Sequence, residues 1–226
     1  MRFVVASVDS LMVYFGEVIG AKVAKDVRQA FYTLREAKLS FVTDIVPSYT
    51  SIMVSYDFVH FTYDEMCEKI TNILEKNAEN HEELPSRIMS VPVFYDVSVG
   101  LELEAISASK NLSVEEIIAL HVEKDYFVYA IGFAPGFPYM GDVDSRIASP
   151  RLANPRAKVP KGSVAIADRQ TAIYPKQSPG GWNILGRTPI EMFSRSYDGL
   201  SYLRVGDKVN FEPISKEKFL KLGGVL

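Results

Sequence analysis

The sequence predicts an α+β protein in two parts: an antiparallel sheet carrying helices over residues 1–90, and a β-barrel over residues 91–226 with two short helices at 101–121. Three observations predict it. Residues 1 to about 90 alternate strand-like and helix-like runs in the order β, α, β, β, α, β, with an extra hairpin strand. Between Gly132 and Pro189, about a quarter of the chain, lie seven of the 14 glycines and eight of the 12 prolines, a density that no helical domain tolerates. The 226 residues are 47% hydrophobic and 23% charged, which excludes disorder as the main state and allows one or two domains, each with a core.

Taken in order, Arg2 to Val8 and Leu11 to Phe15 form a hairpin broken at Asp9-Ser10. Val18 to Lys38 is a helix, because Val23, Val27, Ala30, Phe31, Leu34 and Ala37 recur at spacings of three and four. Phe41 to Pro47 and Ser51 to Ser55 make a second strand pair. A helix follows from Thr62, lined by Met66, Ile70, Ile73 and Leu74, and Ser86 to Phe94 closes the unit as a strand that Pro92 confines to an edge or a domain crossover. This is the order of a ferredoxin-like sheet covered on one face. Leu101 to Ser109 is a short helix, and Ser113-Val114-Glu115-Glu116 is a capping box that opens a second one, running to about His121. Short β runs then follow at Tyr126 to Phe133, Ser163 to Ala167, Thr171 to Tyr174, Asn183 to Gly186, Ile190 to Phe193 and Lys208 to Phe211. Their Gly- and Pro-rich connections favour a closed or partly closed barrel.

Composition excludes several function classes. With 25 basic and 28 acidic residues the formal charge is −3, so there is no electrostatic footprint for nucleic acid. The single cysteine, Cys67, makes neither an intramolecular disulfide nor a Cys-based zinc site, which makes the cytoplasm the expected compartment. Asp9 interrupts the N-terminal apolar run before it reaches signal-peptide length, and no apolar stretch is long enough to span a membrane. His60, His81 and His121 are far apart and show no metal-ligand spacing, so no metal site is expected. His121, at a helix C-terminus where a cation favours the dipole, is expected to cap that helix and is the one weak catalytic candidate.

Gly181 to Thr188 spells GxxxxG followed by Arg and Thr, near a phosphate-binding loop. It lacks the Lys, and Pro189 with the β-like run after it excludes the helix such a loop requires. Gly132-Phe133-Ala134-Pro135-Gly136-Phe137-Pro138-Tyr139-Met140-Gly141 alternates aromatics with turn-formers. One reading folds the aromatics into the core; the other makes a preformed pocket that presents aromatic faces and free N–H groups. Arg151 and Arg156 each follow a proline, Arg187 adds a third guanidinium, and Gln170, Thr171, Gly180, Gly181 and Trp182 add further donors. Such a set suits a small carboxylate or amide ligand, although surface arginines are commonly no more than solvated charges.

At these residues the sequence resembles the 5-oxoprolinase B-subunit family, also called allophanate hydrolase subunit 1, to which the sporulation-kinase inhibitor KipI belongs. The resemblance runs through Ile131 to Gly141, Pro150-Arg151, Asn154-Pro155-Arg156, Val159 to Ala167, Gln170 to Pro175 and Ser178 to Pro189. A weaker echo lies at Val46 to Tyr49 and Ser51 to Asp57. The order and spacing of the blocks is far more specific than any single block. Two departures stand out: Asp168 and Ala172 occupy positions where the family commonly has Gly, so conformational freedom at positive φ is expected to be lost and a side chain added near the pocket.

The resemblance implies a small α/β N-terminal domain and a cyclophilin-like barrel. It implies one component of an ATP-dependent 5-oxoprolinase, a hydrolase that opens 5-oxo-L-proline to L-glutamate together with the enzyme's C subunit, of related barrel fold, and its A subunit. ATP and Mg would serve the complex, with no cofactor on this chain alone and no nucleic acid or membrane partner. Because the sequence offers no nucleophile–base pair, the role expected here is substrate positioning by Arg151, Arg156, Gln170, Thr171 and Arg187 with the Gly136, Gly180 and Gly181 amides. A rival reading is a kinase inhibitor whose groove, lined by Phe133, Phe137, Tyr139 and Trp182, accepts a proline-bearing segment. A third is urea or allophanate metabolism with a biotin-dependent partner.

Overall fold

The computed structural model describes residues 1–77 and 86–226, and the chain divides into two units, Met1–Pro85 and Ser86–Leu226. His81 lies outside the described residues.

In the first unit the apolar periodicities place the elements. β1 (Arg2–Ser7) and β2 (Ser10–Tyr14) form the expected hairpin, followed by α1 (Ala21–Glu36), β3 (Val42–Ser48), β4 (Ser51–Tyr56) and α2 (Tyr63–Lys76). Alternation in β2 and β4 buries Leu11, Val13, Ile52 and Val54 on one face of the sheet. Against that face pack Val27, Ala30 and Leu34 of α1 with Met66 and Ile70 of α2, so both helices cover the same side. The helix predicted from Val18 starts only after Gly20, leaving Val18 and Ile19 exposed, and the chain leaves it through Lys38 at φ 45. α2 has a capping box: Thr62 N–H donates to Glu65 Oε2 at 2.8 Å, and Glu65 N–H donates to Thr62 Oγ1 at 3.4 Å.

One expectation is overturned. Among the described residues the sheet order is β1-β2-β4-β3, all antiparallel, with β1 on the edge beside β2. The strand predicted at Ser86 to Phe94 is not in this sheet. As β5 (Ile88–Val93) it pairs in parallel with β13 (Lys208–Pro213) of the second unit, from Lys208↔Ile88 to Pro213↔Val93. Local pattern identifies a strand; its partner is set by pairing across more than a hundred residues, which local pattern does not carry.

The second unit continues with α3 (Leu103–Lys110), α4 (Val114–Val122), β6 (Tyr126–Ile131), β7 (Pro138–Gly141), β8 (Arg156–Val159), β9 (Ser163–Ala167), β10 (Gln170–Ile173), β11 (Ser178–Gly180) and β12 (Asn183–Arg187). After β13 comes α5 (Lys216–Lys221). The capping box read at Ser113 and Glu116 is present at the start of α4. Seven strands form a sheet in the order β12-β9-β10-β7-β6-β13-β5, while β8 and β11 form a separate ribbon. The sheet curls until its two ends meet: Phe94, just beyond β5, donates to the Arg187 carbonyl at 2.8 Å, and Arg187 N–H donates back to the Phe94 carbonyl at 2.9 Å. The result is a nearly closed barrel. β7, β8, β11 and α5 escape sequence-based prediction, because the strands are short, Pro- or Gly-bearing or largely exposed, and long-range pairing decides them. Conversely, Ile190 to Phe193 is no strand; only Phe193 makes an isolated bridge, to Ser201.

One face of the sheet carries the main core, with Val128, Met140, Val164, Ile166, Ile173 and Phe211 packed against Leu103 and Ile106 of α3 and Ile117 and Leu120 of α4. The opposite face carries a smaller core of Ala165, Ala167, Ala172 and Ile184 under Phe137, Tyr174 and Trp182. Near the seam Phe219 of α5 packs on Phe94 at 5.5 Å between ring centroids. Among the described residues no helix is long and apolar enough to cross a membrane.

The seam depends on Gly186, because a Cβ there would lie 2.7 Å from the Phe94 carbonyl oxygen and 2.9 Å from Val93. Gly186→Ala is therefore expected to lower stability by about 1–3 kcal/mol, the usual cost of overpacking. Gly132→Ala, whose nearest new contact is 4.0 Å away, should cost far less. Urea denaturation followed by Trp182, the chain's single tryptophan, reads this unit directly.

Candidate functional site

The alternation of β9 and β10 sorts the candidate residues before any ligand is considered. Thr171 pairs with Ile166 and Met140, members of the main core, whereas Gln170 pairs with Ala167 and Gly141. Directly opposed residues share a face and successive ones do not. Gln170 and Thr171, neighbours in sequence, thus face opposite sides of the sheet and cannot grip one small ligand together.

Gln170's face carries the aromatic cluster. Phe137 meets Tyr174 edge-on at 5.2 Å and Trp182 edge-on at 5.8 Å, and Tyr139 at a tilt at 4.9 Å between centroids. Phe137, Tyr174 and Trp182 are buried and Tyr139 is half-buried. The aromatics of the Gly132–Gly141 loop therefore mostly pack on one another, and a groove lined by all of Phe133, Phe137, Tyr139 and Trp182 is not formed. Phe133 is the exception. It is 65% exposed, contacts Phe137 at 5.2 Å and sits at φ 66, a conformation unusual for a bulky side chain. Gly136, at φ 81, fits against the Met192 carbonyl, and Gly180 lies against the Tyr174 hydroxyl. Arg151 is exposed and places its guanidinium 5.7 Å from the Trp182 ring centroid, a cation–π contact. The Gly181 carbonyl accepts from Leu152 N–H at 2.7 Å, tying the Arg151 loop to this edge.

The two glycine departures are resolved by geometry. Asp168 adopts φ 50 in the two-residue turn between β9 and β10, so the left-handed conformation is kept with Asp supplying it, as Asp does more readily than most residues. The expected loss of conformational freedom there is corrected. Ala172 is fully buried, its methyl part of the smaller core.

His121 is the largest correction. The expected cationic cap is absent: the ring is fully buried, stacked on Phe211 at 4.8 Å, and burial pulls its pKa down to about 3. It is neutral, and its neighbours fix the tautomer. Tyr95, held protonated by burial, donates its O–H to Nδ1 (2.8 Å). Nε2–H donates to Thr171 Oγ1 (3.1 Å), and Thr171 in turn donates to the Ala165 carbonyl (3.2 Å). A hydroxyl, an imidazole and a phenol in series resemble a nucleophile, base and orienting group. Here, however, Thr171 and His121 are both fully buried, and the hydroxyl is committed to a carbonyl. The network is a satisfied polar element of the core. Sequence reasoning misses it because its members are brought together only by the barrel.

The three arginines separate as well. Arg156 is held by Glu102, a residue sequence reasoning does not single out, which is 4% exposed. Glu102 accepts from Arg156 Nε at 3.0 Å and also from Nη2, and its other oxygen accepts from Ile184 N–H at 2.8 Å. Arg156 is thus a structural cation. Arg187 is 9% exposed and pairs with no carboxylate among the described residues; its Nη1 donates to the Val225 carbonyl at 2.9 Å, and burial lowers its pKa. Of the three, Arg151 alone is exposed with no carboxylate on its guanidinium among the described residues.

A nucleotide does not fit the Gly181–Thr188 segment. Asn183–Arg187 is a buried strand bonded to β9, and Pro189 rather than a helix follows it, so no helix aims amides at phosphate there. Among the described residues no group of three or more His, Cys, Asp and Glu side chains is placed to hold a metal ion.

The burial of His121 makes stability depend on pH. The unfolded chain binds a proton at His121 near pH 6.5 and the folded chain only near 3, so the neutral ring's contribution is complete above 6.5 and is lost as pH falls towards 3, by a few kcal/mol. His121→Asn should flatten the difference between urea midpoints at pH 7 and pH 4.5; parallel profiles for wild type and variant would contradict the assignment. Arg156→Ala, by stranding the buried Glu102 carboxylate, should cost about 2–3 kcal/mol in the same assay, whereas exposed Arg151→Ala should cost less than about 1.

Comparison with known proteins agrees with this geometry. Residues 1–203 match the family described as carboxyltransferase domain, subdomain C and D. The chain is 35% identical over 220 residues to the B subunit of 5-oxoprolinase from Bacillus subtilis (strain 168), covering 93% of this chain and 91% of that one. Among solved structures it is similar to TTHA0988, with a TM-score of 0.80 and 31% identity over 91% of this chain, although it spans only 40% of that protein. The Kluyveromyces lactis urea carboxylase shares the fold, with a TM-score of 0.74 at 16% identity, over 97% of this chain and 22% of that one. A family match across nearly the whole chain, with the barrel and aromatic loop where the sequence blocks fall, shows that the chain belongs to the 5-oxoprolinase B-subunit family.

Proposed function

We propose that this chain is a non-autonomous component of a cytoplasmic ATP-dependent 5-oxoprolinase, which adds water across the lactam C–N bond of 5-oxo-L-proline to give L-glutamate. The observation that carries this reading is the 35% identity, over nearly the full length of both chains, to a protein named as the B subunit of 5-oxoprolinase. That name speaks of a multi-subunit enzyme, and the architecture suits a share of the work. The accessible groups on the aromatic face are a guanidinium, an amide side chain and aromatic edges, from Arg151, Gln170, Tyr139 and Phe133. These bind and orient a small polar ring. They include no nucleophile–base pair, and the Thr171–His121 hydroxyl–imidazole contact is sealed in the core. With no segment among the described residues suited to nucleotide phosphates, ATP and its Mg belong in this reading to another component of the enzyme, and bond cleavage to that component or to the interface shared with it.

Glutamate release from 5-oxo-L-proline tests the proposal. With ATP and Mg, the chain alone should release none, and an assembly co-expressed with the A and C subunits of the enzyme should release it. The same assembly lacking this chain should be inactive. Turnover by the isolated chain, or undiminished turnover without it, would overturn the reading.

A further inference from the structure

Among the described residues three buried side-chain polar atoms lack a hydrogen-bond partner: Ser163 Oγ, Arg187 Nε and Ser201 Oγ. Two of the three are cross-strand neighbours, since Arg187 of β12 pairs directly with Ser163 of β9. Directly opposed residues of an antiparallel pair point to the same face. By alternation along β9, Ser163 shares that face with Ala165 and Ala167, under the aromatic cluster. An unpaired buried donor ordinarily costs about 1–3 kcal/mol, and more when charged, so two on directly paired residues call for a ligand.

Their chemistry defines it. Arg187 spends Nη1 on the Val225 carbonyl, 2.9 Å away, which leaves Nε–H and its neighbouring Nη2 edge, the fork that receives the two oxygens of a carboxylate. The Ser163 hydroxyl, on the residue paired with Arg187 across the strands, adds a third donor. No acidic side chain among the described residues competes for it. The carbonyl that takes Nη1 belongs to the segment Gly223–Leu226. Val225 and Leu226 are 73% and 53% exposed, and Gly223, at φ 86, has open space around it.

We propose that Arg187 and Ser163 form a subsite for the carboxylate of a small acid, bordered by the segment Gly223–Leu226, which moves aside when the ligand enters. The identity of that acid as 5-oxo-L-proline rests on the function proposed above; the carboxylate subsite does not.

The arginine Nε–Hε NMR signal of Arg187 in the full chain reads this site directly. 5-Oxo-L-proline and acetate should both shift it, while 2-pyrrolidinone, the same ring without the carboxylate, should not. Ser163→Ala should weaken the carboxylate response about tenfold, the weight of one charge-assisted hydrogen bond. A signal unmoved by every carboxylate would overturn the subsite, as would an equal response to 2-pyrrolidinone or binding of 5-oxo-L-proline sensed elsewhere in the spectrum only. Unchanged affinity in Ser163→Ala would remove Ser163 from it. A response to acetate but not to 5-oxo-L-proline would uphold the carboxylate subsite and overturn the lactam as substrate.

Discussion

The second unit depends on one pair of backbone hydrogen bonds, exchanged between Phe94 and Arg187. They join the two ends of a seven-stranded sheet that would otherwise present two open edges. Closure demands a residue without a side chain beside the Phe94 carbonyl, which Gly186 provides, and it places Phe94 where Phe219 of α5 can cover the seam. It also buries Arg187. A guanidinium taken out of water without an acid is costly, and the strand position that imposes the cost is the one that completes the barrel.

From closure follows a division between two faces. Residues directed to the main core, Thr171 among them, have their polar needs met within it: Tyr95, His121, Thr171 and the Ala165 carbonyl form a chain in which each donor has an acceptor. Residues directed to the other face lie among aromatic rings, accessible guanidinium and amide groups, and the unpaired atoms of Ser163 and Arg187. Satisfied polar groups specify structure, whereas the unpaired atoms of Ser163 and Arg187 carry the proposed carboxylate subsite. The pair of buried Glu102 with Arg156 belongs to the first kind and ties Arg156 to the residue just ahead of α3.

Much of this is legible in the sequence, wherever the causes are local. The 3.6-residue periodicity of α1, the capping box of α4 and the β9 strand at Ser163–Ala167 are properties of a few neighbouring residues, and each lies where the pattern puts it. The concentration of Gly and Pro locates the barrel loops and the aromatic face. What local pattern does not contain is partnership. Ser86 to Phe94 reads as a strand, yet nothing near it tells that its mate is β13. Arg156 and Arg187 look alike in sequence, each a guanidinium near a proline, and only Glu102, 54 residues from the first, separates a structural cation from an unpaired one. His121 misleads for the same reason, because its partners Tyr95 and Thr171 arrive from other elements.

The central claim, that the barrel closes between Phe94 and Arg187 and thereby buries Arg187 opposite Ser163 of β9, is tested most directly by hydrogen exchange at those two amides. Closure predicts that both exchange as slowly as the interior amides of β9 and β10, in the class released only by global unfolding of the unit. Exchange at the rate of an exposed sheet edge would contradict closure and, with it, the burial of Arg187.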